Sequence, residues 1–305
     1  MSVTQQAAAI GQPIRAGRER RPPWRIRLQG SDTNWAIAFI VPYIVVFAAF
    51  VVYPVVDGLW MGSSPSLYST IFSDPLYPRI VMNTVLFVVI GVNVQMFLAL
   101  LLSGFFMSRS WWVRSLLVVF LLPWALPALI VFTSIHLMLV TQWGLLDSLI
   151  RAVTGQDGPL FLISQWVALG ANIVSYIWKW LPFWTLIFLA GRMAIPQDIY
   201  EAADIDGASG VNRLIFVTFP LLANVYLVST LLAAVWTVGD FATVLLVSSG
   251  APARWSDVLA SYGLKEALNF GYPELGMAAM MTALPVLIPL VILLMRRVQM
   301  REVQL

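Results

Sequence analysis

Six apolar runs, each long enough to cross a membrane as a helix, constrain the fold of this chain more than any other feature. A spanning helix needs about 20 mostly apolar residues, because the hydrocarbon layer is about 30 Å thick and each helical residue rises about 1.5 Å. Runs of this length occupy residues 35–56, 83–107, 113–140, 165–190, 221–247 and 275–295. The sequence therefore predicts an all-α, polytopic membrane protein with six transmembrane helices.

The composition supports this class and excludes several kinds of site. The 305 residues are 60% hydrophobic and 11% charged, whereas soluble domains are about a quarter charged. The chain has no Cys and a single His, which excludes a disulfide framework and argues against a histidine-based metal centre. The net charge of +3 is small, and arginines cluster near the predicted membrane ends, which argues against a nucleic-acid partner.

The positive charges predict the orientation of the spans. We divide the chain into an Arg-rich leader at 1–34, a transmembrane domain at 35–296 and a short tail at 297–305. Thirteen of the 18 Lys and Arg residues lie in segments on one proposed side, four on the other, and Lys179 lies within a span. Because positive residues favour the cytoplasmic side, both termini and the loop at 191–222 are predicted to be cytoplasmic.

Prolines and glycines mark a kink and the external segments. Pro123 and Pro127 interrupt the third apolar run, and since proline removes a backbone donor, we expect a kinked span there. The segments 57–80, 141–164 and 248–273 are rich in turn residues and are predicted to be external loops.

The cytoplasmic loop carries signals for the start of a short helix. Pro196 suits a first helical turn, and Asp198 and Glu201 have the spacing of a capping box. The helix is therefore predicted to begin near Asp198.

Three residues predict how this loop continues. Gly207 can take the left-handed conformation that ends a helix, and Ser209 can cap a second helix. Pro220 predicts a further break. The loop is thus expected to form a helix, a turn and a second helix.

The same loop contains the order E-A-A-x-x-D-G-A, followed about a dozen residues later by P-L-L. The motif positions are Glu201, Ala202, Ala203, Asp206, Gly207, Ala208 and Pro220. This spacing resembles the EAA loop of permease subunits of binding-protein-dependent ABC importers. In that family the loop is a coupling helix that docks on the ATPase subunit, so the resemblance implies an ATPase-coupling role for these residues and for Asp198.

Further matches are similar to the carbohydrate-uptake type of these permeases. They are Tyr53-Pro54, Asn83-Thr84, Pro123-Trp124, Ser249-Gly250-Ala251-Pro252 and the segment 262–279. The resemblance implies a six-transmembrane-helix ABC importer permease fold with a cytoplasmic coupling helix. It also implies import of a sugar, oligosaccharide, polyol or related solute across a bacterial or archaeal inner membrane.

The resemblance implies several partners. They are membrane lipid, a second permease subunit, two ABC ATPase subunits and an extracytoplasmic solute-binding protein. A heterodimer of permeases is expected, with a homodimer as the other arrangement. The sequence has no Walker-type G-x-x-x-x-G-K-[ST] loop, so we expect no cofactor on this chain, with ATP and Mg bound by the partner ATPase. The chain is accordingly predicted to be a transport subunit and not an enzyme.

One face of the fourth span is polar and aromatic. It comprises Asn172, Ser175, Tyr176, Lys179 and Trp180. The three- and four-residue steps place the polar members on one side of a helix, and a charge within a span is costly unless it faces a cavity or a partner. We interpret this face as a candidate solute path, since aromatic faces suit sugar rings. The other interpretation is that Lys179 extends to the cytoplasmic interface within an aromatic belt.

The fifth run adds Thr237, Asp240 and Phe241 to the candidate path. Asp240 is interpreted as part of a hydrophilic path or subunit contact, or alternatively as a carboxylate at the outer interface. From the helical rise, Asp240 lies about 10 Å from the outer end of its span and Lys179 about twice as far from the outer end of its own, so no direct ion pair is expected.

Two other functional classes make different predictions. A secondary transporter or channel subunit would work without ATP and would leave the EAA sequence unexplained. A membrane enzyme would need a metal cluster, a nucleophile motif or paired carboxylates, and the loops offer no convincing example.

Overall fold

The computed structural model describes residues 32–108 and 110–302. Of the predicted leader, only residues 32–34 fall within this range, and the end of the predicted tail, 303–305, lies outside it. The described residues are helices joined by short turns, and no strand occurs among them. This confirms the predicted all-α class.

The helices follow one another closely along the described residues. They are α1 (Asp32–Phe47), α2 (Tyr53–Met61), α3 (Pro65–Ser73), α4 (Tyr77–Phe106), α5 (Trp111–Ala125), α6 (Ala128–Leu139), α7 (Leu145–Thr154), α8 (Gln165–Met193), α9 (Gln197–Ile205), α10 (Gly210–Arg213), α11 (Phe219–Val238), α12 (Ala242–Val247), α13 (Leu259–Leu268), α14 (Pro273–Met281) and α15 (Leu284–Glu302). Two π-helical turns, Ala48–Val52 and Leu214–Thr218, lead into α2 and α11.

The chain divides into two compact units, residues 1–57 and 58–305. In the first unit, the side chains described between residues 39 and 56 are all exposed and mostly apolar. Exposed apolar side chains on every face are typical of a helix surrounded by lipid.

Five helical stretches are long and apolar enough to cross a membrane. They are Phe39–Met61, Tyr77–Phe106, Gln165–Met193, Gly210–Val238 and Pro273–Arg297. A sixth crossing would consist of α5 and α6 together, which meet at an angle of 93°. The described residues therefore provide five spans, or six if the bent pair is counted, in keeping with the predicted polytopic fold.

The bend between α5 and α6 lies where the sequence predicted a kink. The backbone hydrogen bonds of α5 end with Leu126 N–H donating to the Leu122 carbonyl at 3.1 Å, and those of α6 begin with Val131 N–H and the Pro127 carbonyl at 3.2 Å. Pro127 lies between them and has no N–H to continue the first helix. The result is a broken helix with a right-angled turn.

The segments predicted as external loops contain the helices α3, α7 and α13, so their interpretation as loops was wrong. The misleading residues stand at helix ends. Pro65 and Pro78 lie in the first turns of α3 and α4, where proline is tolerated because the first N–H groups have no helical partner. Gly155 ends α7 in the left-handed conformation at φ 70°. The helix of the second span consequently begins at Tyr77, six residues before Asn83.

The single fifth run predicted at 221–247 is two helices. α11 ends at Val238, and α12 begins at Ala242. Between them, the Asp240 Oδ1 accepts a hydrogen bond from the Thr243 N–H at 2.9 Å. An aspartate at this position satisfies a free N–H of the new helix, which favours a restart over a continuous span.

The second unit has its main core between α4, α8 and α11. Met96 of α4, Trp184 and Phe188 of α8 and Ala233 of α11 are all buried in one apolar cluster. In a membrane, such side chains hold helices together by van der Waals packing, because the surrounding lipid is as apolar as the core. This core holds together the helices that carry both candidate sites.

Candidate functional site

The predicted cytoplasmic loop forms a helix, a turn and a second helix, made of α9 and α10. α9 begins at Gln197 and ends before Asp206, and Gly207 follows with φ 77°. Ser209 occupies the N-cap position of α10, although its side chain makes no capping hydrogen bond. Glycine suits the turn because other residues are strained at positive φ. The predicted helix-turn-helix is confirmed.

The capping box predicted for α9 is absent. Pro196 takes the N-cap position, so Asp198 falls inside the first turn, where its Oδ1 accepts from the Ile199 N–H at 3.1 Å. The Glu201 Oε1 accepts instead from the Gln197 Nε2 at 2.9 Å. The N-cap is Pro196, two residues before the Asp198 that a capping box requires, which separates the two carboxylates from their expected donors.

The predicted break at Pro220 is also absent. The π-helical turn Leu214–Thr218 passes directly into α11, and Pro220 lies in the first turn of that helix. The wider π turn accommodates a proline ring that would clash with a carbonyl in a regular α-helix.

The predicted coupling residues differ in exposure. Exposed residues are Asp198, Glu201, Ala202, Asp206, Gly207 and Pro220, whereas Ala208 is half-buried. Ala203 is buried on the inner face of α9. Beside the acidic residues, Ile205 is 87% exposed, which is unusual for a large apolar side chain outside the spans. Together they form an exposed surface that is both acidic and apolar, which we call the EAA surface.

An ion pair joins α9 to α10 beside this surface. Arg213 donates from Nη1 to both carboxylate oxygens of Asp204, at 2.9 and 3.2 Å. Its guanidinium also lies 5.8 Å from the ring centroid of Tyr200. The pair is partly exposed, so its contribution to stability is at most about 1 kcal/mol, but it fixes the second short helix against the first.

Arg192 connects the start of this loop to another membrane helix. It lies at the end of α8, and its buried side chain donates from Nε to the Ser103 Oγ at 2.7 Å and from Nη2 to the Leu100 carbonyl at 3.0 Å. Sequence reasoning counted Arg192 only as a cation on the cytoplasmic side. The sequence holds no signal that a residue of α4, about ninety positions away, is its partner.

The polar face predicted on the fourth span lies inside the protein. Asn172 donates from Nδ2 to the Ser248 Oγ at 2.9 Å, and the hydroxyl oxygens of Tyr176 and Thr237 are 2.8 Å apart. The hydroxyl of Ser175 bonds to a carbonyl of its own helix. Two of the three candidate residues therefore link α8 to neighbouring segments.

Lys179 reaches the bend between α5 and α6. Its Nζ donates to the carbonyls of Pro123 at 2.7 Å, Trp124 at 3.2 Å and Leu126, and the side chain is only 2% exposed. Within residues 32–108 and 110–302, no carboxylate pairs with it, in line with the expectation for Asp240. Lys179 is enclosed by protein and does not extend to an exposed interface.

Aromatic side chains cluster beside Lys179, and we call them the aromatic group. Its members are Trp124, Trp180, Phe183, Trp184 and Trp236. Ring centroids of neighbouring members lie 4.9 to 6.2 Å apart. Trp124 and Trp236 remain 39% and 43% exposed. The indole N–H groups of Trp180 and Trp184 have no hydrogen-bond partner among the described residues.

Sequence reasoning recognised only part of this group. Trp180 was predicted beside Lys179 and Trp124 was noted in the Pro123-Trp124 match, but Phe183 and Trp236 carry no distinguishing pattern in an apolar run. Of the other predicted path residues, Asp240 is half-buried and accepts from the Thr243 N–H of α12, and Phe241 is 43% exposed.

A buried ion pair holds the turn that contains the Ser249-Gly250-Ala251-Pro252 sequence. Lys265 donates from Nζ to the Asp257 Oδ1 at 2.7 Å and to the Ser249 carbonyl at 2.9 Å. Asn83, at the second span, donates from Nδ2 to the Asp257 carbonyl at 2.9 Å. Gly250 packs so closely that an added Cβ would lie 2.3 Å from the Asp257 Oδ1.

Comparisons with known proteins agree on one family. The family described as "Binding-protein-dependent transport system inner membrane component" matches residues 95–303. The sulfoquinovosyl glycerol transport system permease protein of Agrobacterium fabrum is 28% identical over 84% of this chain and 88% of its own length. The trehalose/maltose transport system permease protein of Thermococcus litoralis is 27% identical over 82% of this chain and 87% of its own length.

A solved structure has the same fold. It is the crystal structure of a bacterial alginate ABC transporter in complex with an alginate pentasaccharide-bound periplasmic protein, and one of its chains superimposes with a TM-score of 0.78. The two chains are 20% identical, and the match covers 87% of this chain and 94% of that one.

Proposed function

We propose that this chain, which belongs to the family of binding-protein-dependent transport system inner membrane components, carries a sugar, oligosaccharide, polyol or related solute into the cell. The match over residues 95–303 carries this proposal, because it includes both the EAA surface and the aromatic group. The chain is a permease subunit of an ATP-driven importer. The names of its relatives refer to sulfoquinovosyl glycerol and to trehalose and maltose, which supports a carbohydrate-like solute.

The EAA surface is the proposed docking site for an ABC ATPase subunit. It offers the exposed carboxylates of Glu201 and Asp206 and the exposed apolar side chain of Ile205, a combination that suits a groove with basic and apolar walls. ATP and Mg belong to that partner. This chain supplies the element that the ATPase moves.

Two contacts would carry movement of the docked loop to the membrane helices, one within the loop and one between the loop and a span. The Asp204 to Arg213 pair makes α9 and α10 move together, and Arg192 transmits the movement of the loop from α8 to Ser103 of α4. A rigid-body movement of these helices would switch the permease between inward-facing and outward-facing states.

The complete importer in this proposal has five kinds of component. This chain pairs with a second permease subunit as a heterodimer, two ATPase subunits bind on the cytoplasmic side, an extracytoplasmic solute-binding protein delivers the solute, and membrane lipid surrounds the spans. Both termini of this chain are cytoplasmic in a bacterial or archaeal inner membrane. The distribution of Lys and Arg supports this orientation. The alginate transporter, which was crystallised with a periplasmic protein bound to an alginate pentasaccharide, supports the delivery partner.

The solute path runs past the aromatic group. The partly exposed faces of Trp124 and Trp236 can stack on the C–H faces of a sugar ring. Asp240 and Phe241 lie farther along the chain beyond α11 and continue the path. The supporting layer of this path comprises Asn172, Ser175, Tyr176 and Thr237. The hydrogen bonds of Asn172 and of the Tyr176–Thr237 pair hold α8 against neighbouring segments, and that of Ser175 stays within α8.

Reconstitution of the full complex in lipid vesicles tests this function. Uptake of labelled sugars and polyols should require the binding protein and ATP, and Glu201→Lys should abolish uptake while the complex remains assembled in the membrane. Glu274→Lys is the matched control, since Glu274 is an exposed carboxylate in the first turn of α14, directly after the segment 248–273 that is predicted to be external. Uptake that continues without ATP and follows a proton or sodium gradient would support a secondary transporter instead.

A further inference from the structure

The bend between α5 and α6 leaves backbone carbonyls without backbone partners. In a continuous helix, the Pro123 carbonyl would accept from the N–H of residue 127, but Pro127 has none. The described backbone hydrogen bonds stop at Leu126 N–H and resume at Val131 N–H. Buried carbonyl groups without donors are costly, and more so at membrane depth, where water cannot replace the missing donor.

Lys179 provides the missing donors from a different helix. A lysine ammonium group has three N–H bonds and no acceptor, and the Lys179 Nζ meets three carbonyl oxygens, those of Pro123, Trp124 and Leu126. Two of these three carbonyls belong to the C-terminal turn of α5, the end of a helix that carries partial negative charge and favours a cation. The pairing therefore satisfies the carbonyl groups and stabilises the charge.

All three N–H groups of Lys179 are thus used within the protein. The side chain is 2% exposed, and the carbonyls surround its Nζ. A solute hydroxyl would have to displace one of these carbonyls to bind the ammonium group. The geometry consequently argues against Lys179 as a direct solute ligand.

We propose that Lys179 is a positioning residue that clamps the broken third span and holds Trp124 in the aromatic group. Lys179 bonds the backbone of Trp124, whose ring lies 5.8 Å from the ring of Phe183. Phe183 in turn lies 5.6 Å from Trp236. The clamp therefore fixes the position of the Trp124 indole, which is part of the proposed solute surface. This inference rests on the proposed function for its effect on transport, but the clamp itself is independent of the solute.

The absence of Cys in the chain permits a direct measurement of the bend. Val118 on α5 and Leu137 on α6 are 65% and 64% exposed, so Val118→Cys and Leu137→Cys give two spin-label sites in the full-length chain. A straight helix would separate the two positions by roughly 28 Å from the helical rise. The right-angled bend gives a shorter distance, which pulsed electron resonance can measure in lipid nanodiscs.

Lys179→Met should shift the label distance toward the straight-helix value or broaden its distribution, because three carbonyls lose their donors. Ser175→Ala is the matched control on the same helix, since its hydroxyl bonds only within α8, and it should leave the distance unchanged. If the Met variant does not accumulate in the membrane, Lys179→Gln carries the test, because the amide retains two donors and should broaden the distribution. An unchanged distance distribution in whichever variant is recovered would overturn the clamp.

Transport measurements separate this inference from the proposed function. In vesicles, Lys179→Met and Trp124→Ala should both raise the KM for the transported solute at least about tenfold, with ATP-dependent uptake still detectable. A changed bend with unchanged KM in both variants would refute the solute surface and leave the clamp intact. A changed KM in Trp124→Ala together with an unchanged bend in Lys179→Met would refute the clamp and leave the solute surface intact.

Discussion

The Nε of Arg192 lies 2.7 Å from the Oγ of Ser103, and both side chains are buried. Arg192 is one of the last residues of α8 before the helix-turn-helix, and Ser103 lies near the end of α4. The contact therefore joins the segment that is proposed to follow the ATPase to a second membrane helix. It provides a physical route from the EAA surface to the spans.

Loss of the Arg192–Ser103 contact should weaken the coupling of ATP hydrolysis to uptake more than it weakens assembly of the complex. Ser103→Ala removes the acceptor of a buried guanidinium N–H, which costs about 1 to 3 kcal/mol. We expect fewer solute molecules carried per ATP hydrolysed, measured as the ratio of uptake to phosphate release in vesicles. Ser115→Ala is the control, because the Ser115 hydroxyl is exposed and bonds only within α5. An unchanged ratio in Ser103→Ala would exclude this route.

The turn between α9 and α10 should tolerate asparagine better than valine at position 207. Gly207 has φ 77°, and an added Cβ would meet nothing within 4 Å, so any effect of substitution comes from the backbone conformation. A β-branched residue in the left-handed region costs about 1 to 2 kcal/mol or more, whereas asparagine tolerates it. Gly207→Val should reduce ATP-dependent uptake and Gly207→Asn should retain most of it. Equal uptake by the two variants would contradict a conformational role for the glycine.

Gly250 should be sensitive to substitution for a different reason. Gly250 and Gly271 both have positive φ, 73° and 76°, but only Gly250 is crowded, with the Asp257 Oδ1 2.3 Å from an added Cβ. Gly250→Ala must therefore displace a buried ion pair, and disrupting such a pair costs about 3 to 5 kcal/mol. Its thermal unfolding temperature in detergent should fall well below that of Gly271→Ala. Similar temperatures for the two variants would show that the pair moves without cost.

Tyr262 should make stability depend on alkaline pH. Its hydroxyl donates to the Asp74 Oδ2 at 2.9 Å, and burial together with this hydrogen bond raises the pKa of the phenol. The folded pKa exceeds the unfolded value of about 10. The protonated Tyr262 hydroxyl therefore contributes fully to the free energy of unfolding below about pH 10, and this contribution is lost as pH rises through the folded pKa. Tyr262→Phe should show a smaller loss of unfolding free energy above about pH 10 than the wild type. Identical pH profiles would contradict this assignment.

The sequence predicted the features that depend on local patterns. The apolar runs predicted the spanning helices, Gly207 predicted the turn, and Pro123 and Pro127 predicted a bend in the third span. The turn-rich segments were misinterpreted because Pro65 and Pro78 begin helices as readily as they end them. Local patterns cannot separate these two uses of proline without knowledge of the flanking hydrogen bonds.

Partners that are distant in sequence could not be predicted. Lys179 was visible as an unusual charge in a span, but its acceptors are backbone carbonyls more than fifty positions away, and every residue has such a carbonyl. Trp236 likewise lies in an apolar run where any large residue would be expected. The candidate sites thus became specific only when the structure showed which segments meet.

Cross-linking from a single introduced cysteine tests the central claim, that α9 and α10 dock on an ATPase partner. Ile205 on the EAA surface and Trp143 before α7 are both 87% exposed, so Ile205→Cys and Trp143→Cys are matched in accessibility on a Cys-free chain. In the assembled complex, the cysteine at position 205 should cross-link to the ATPase subunit, and the cysteine at position 143 should react with a membrane-impermeant reagent from outside the cell. Reaction of position 205 from outside, or cross-linking of the ATPase by position 143 in its place, would contradict the account.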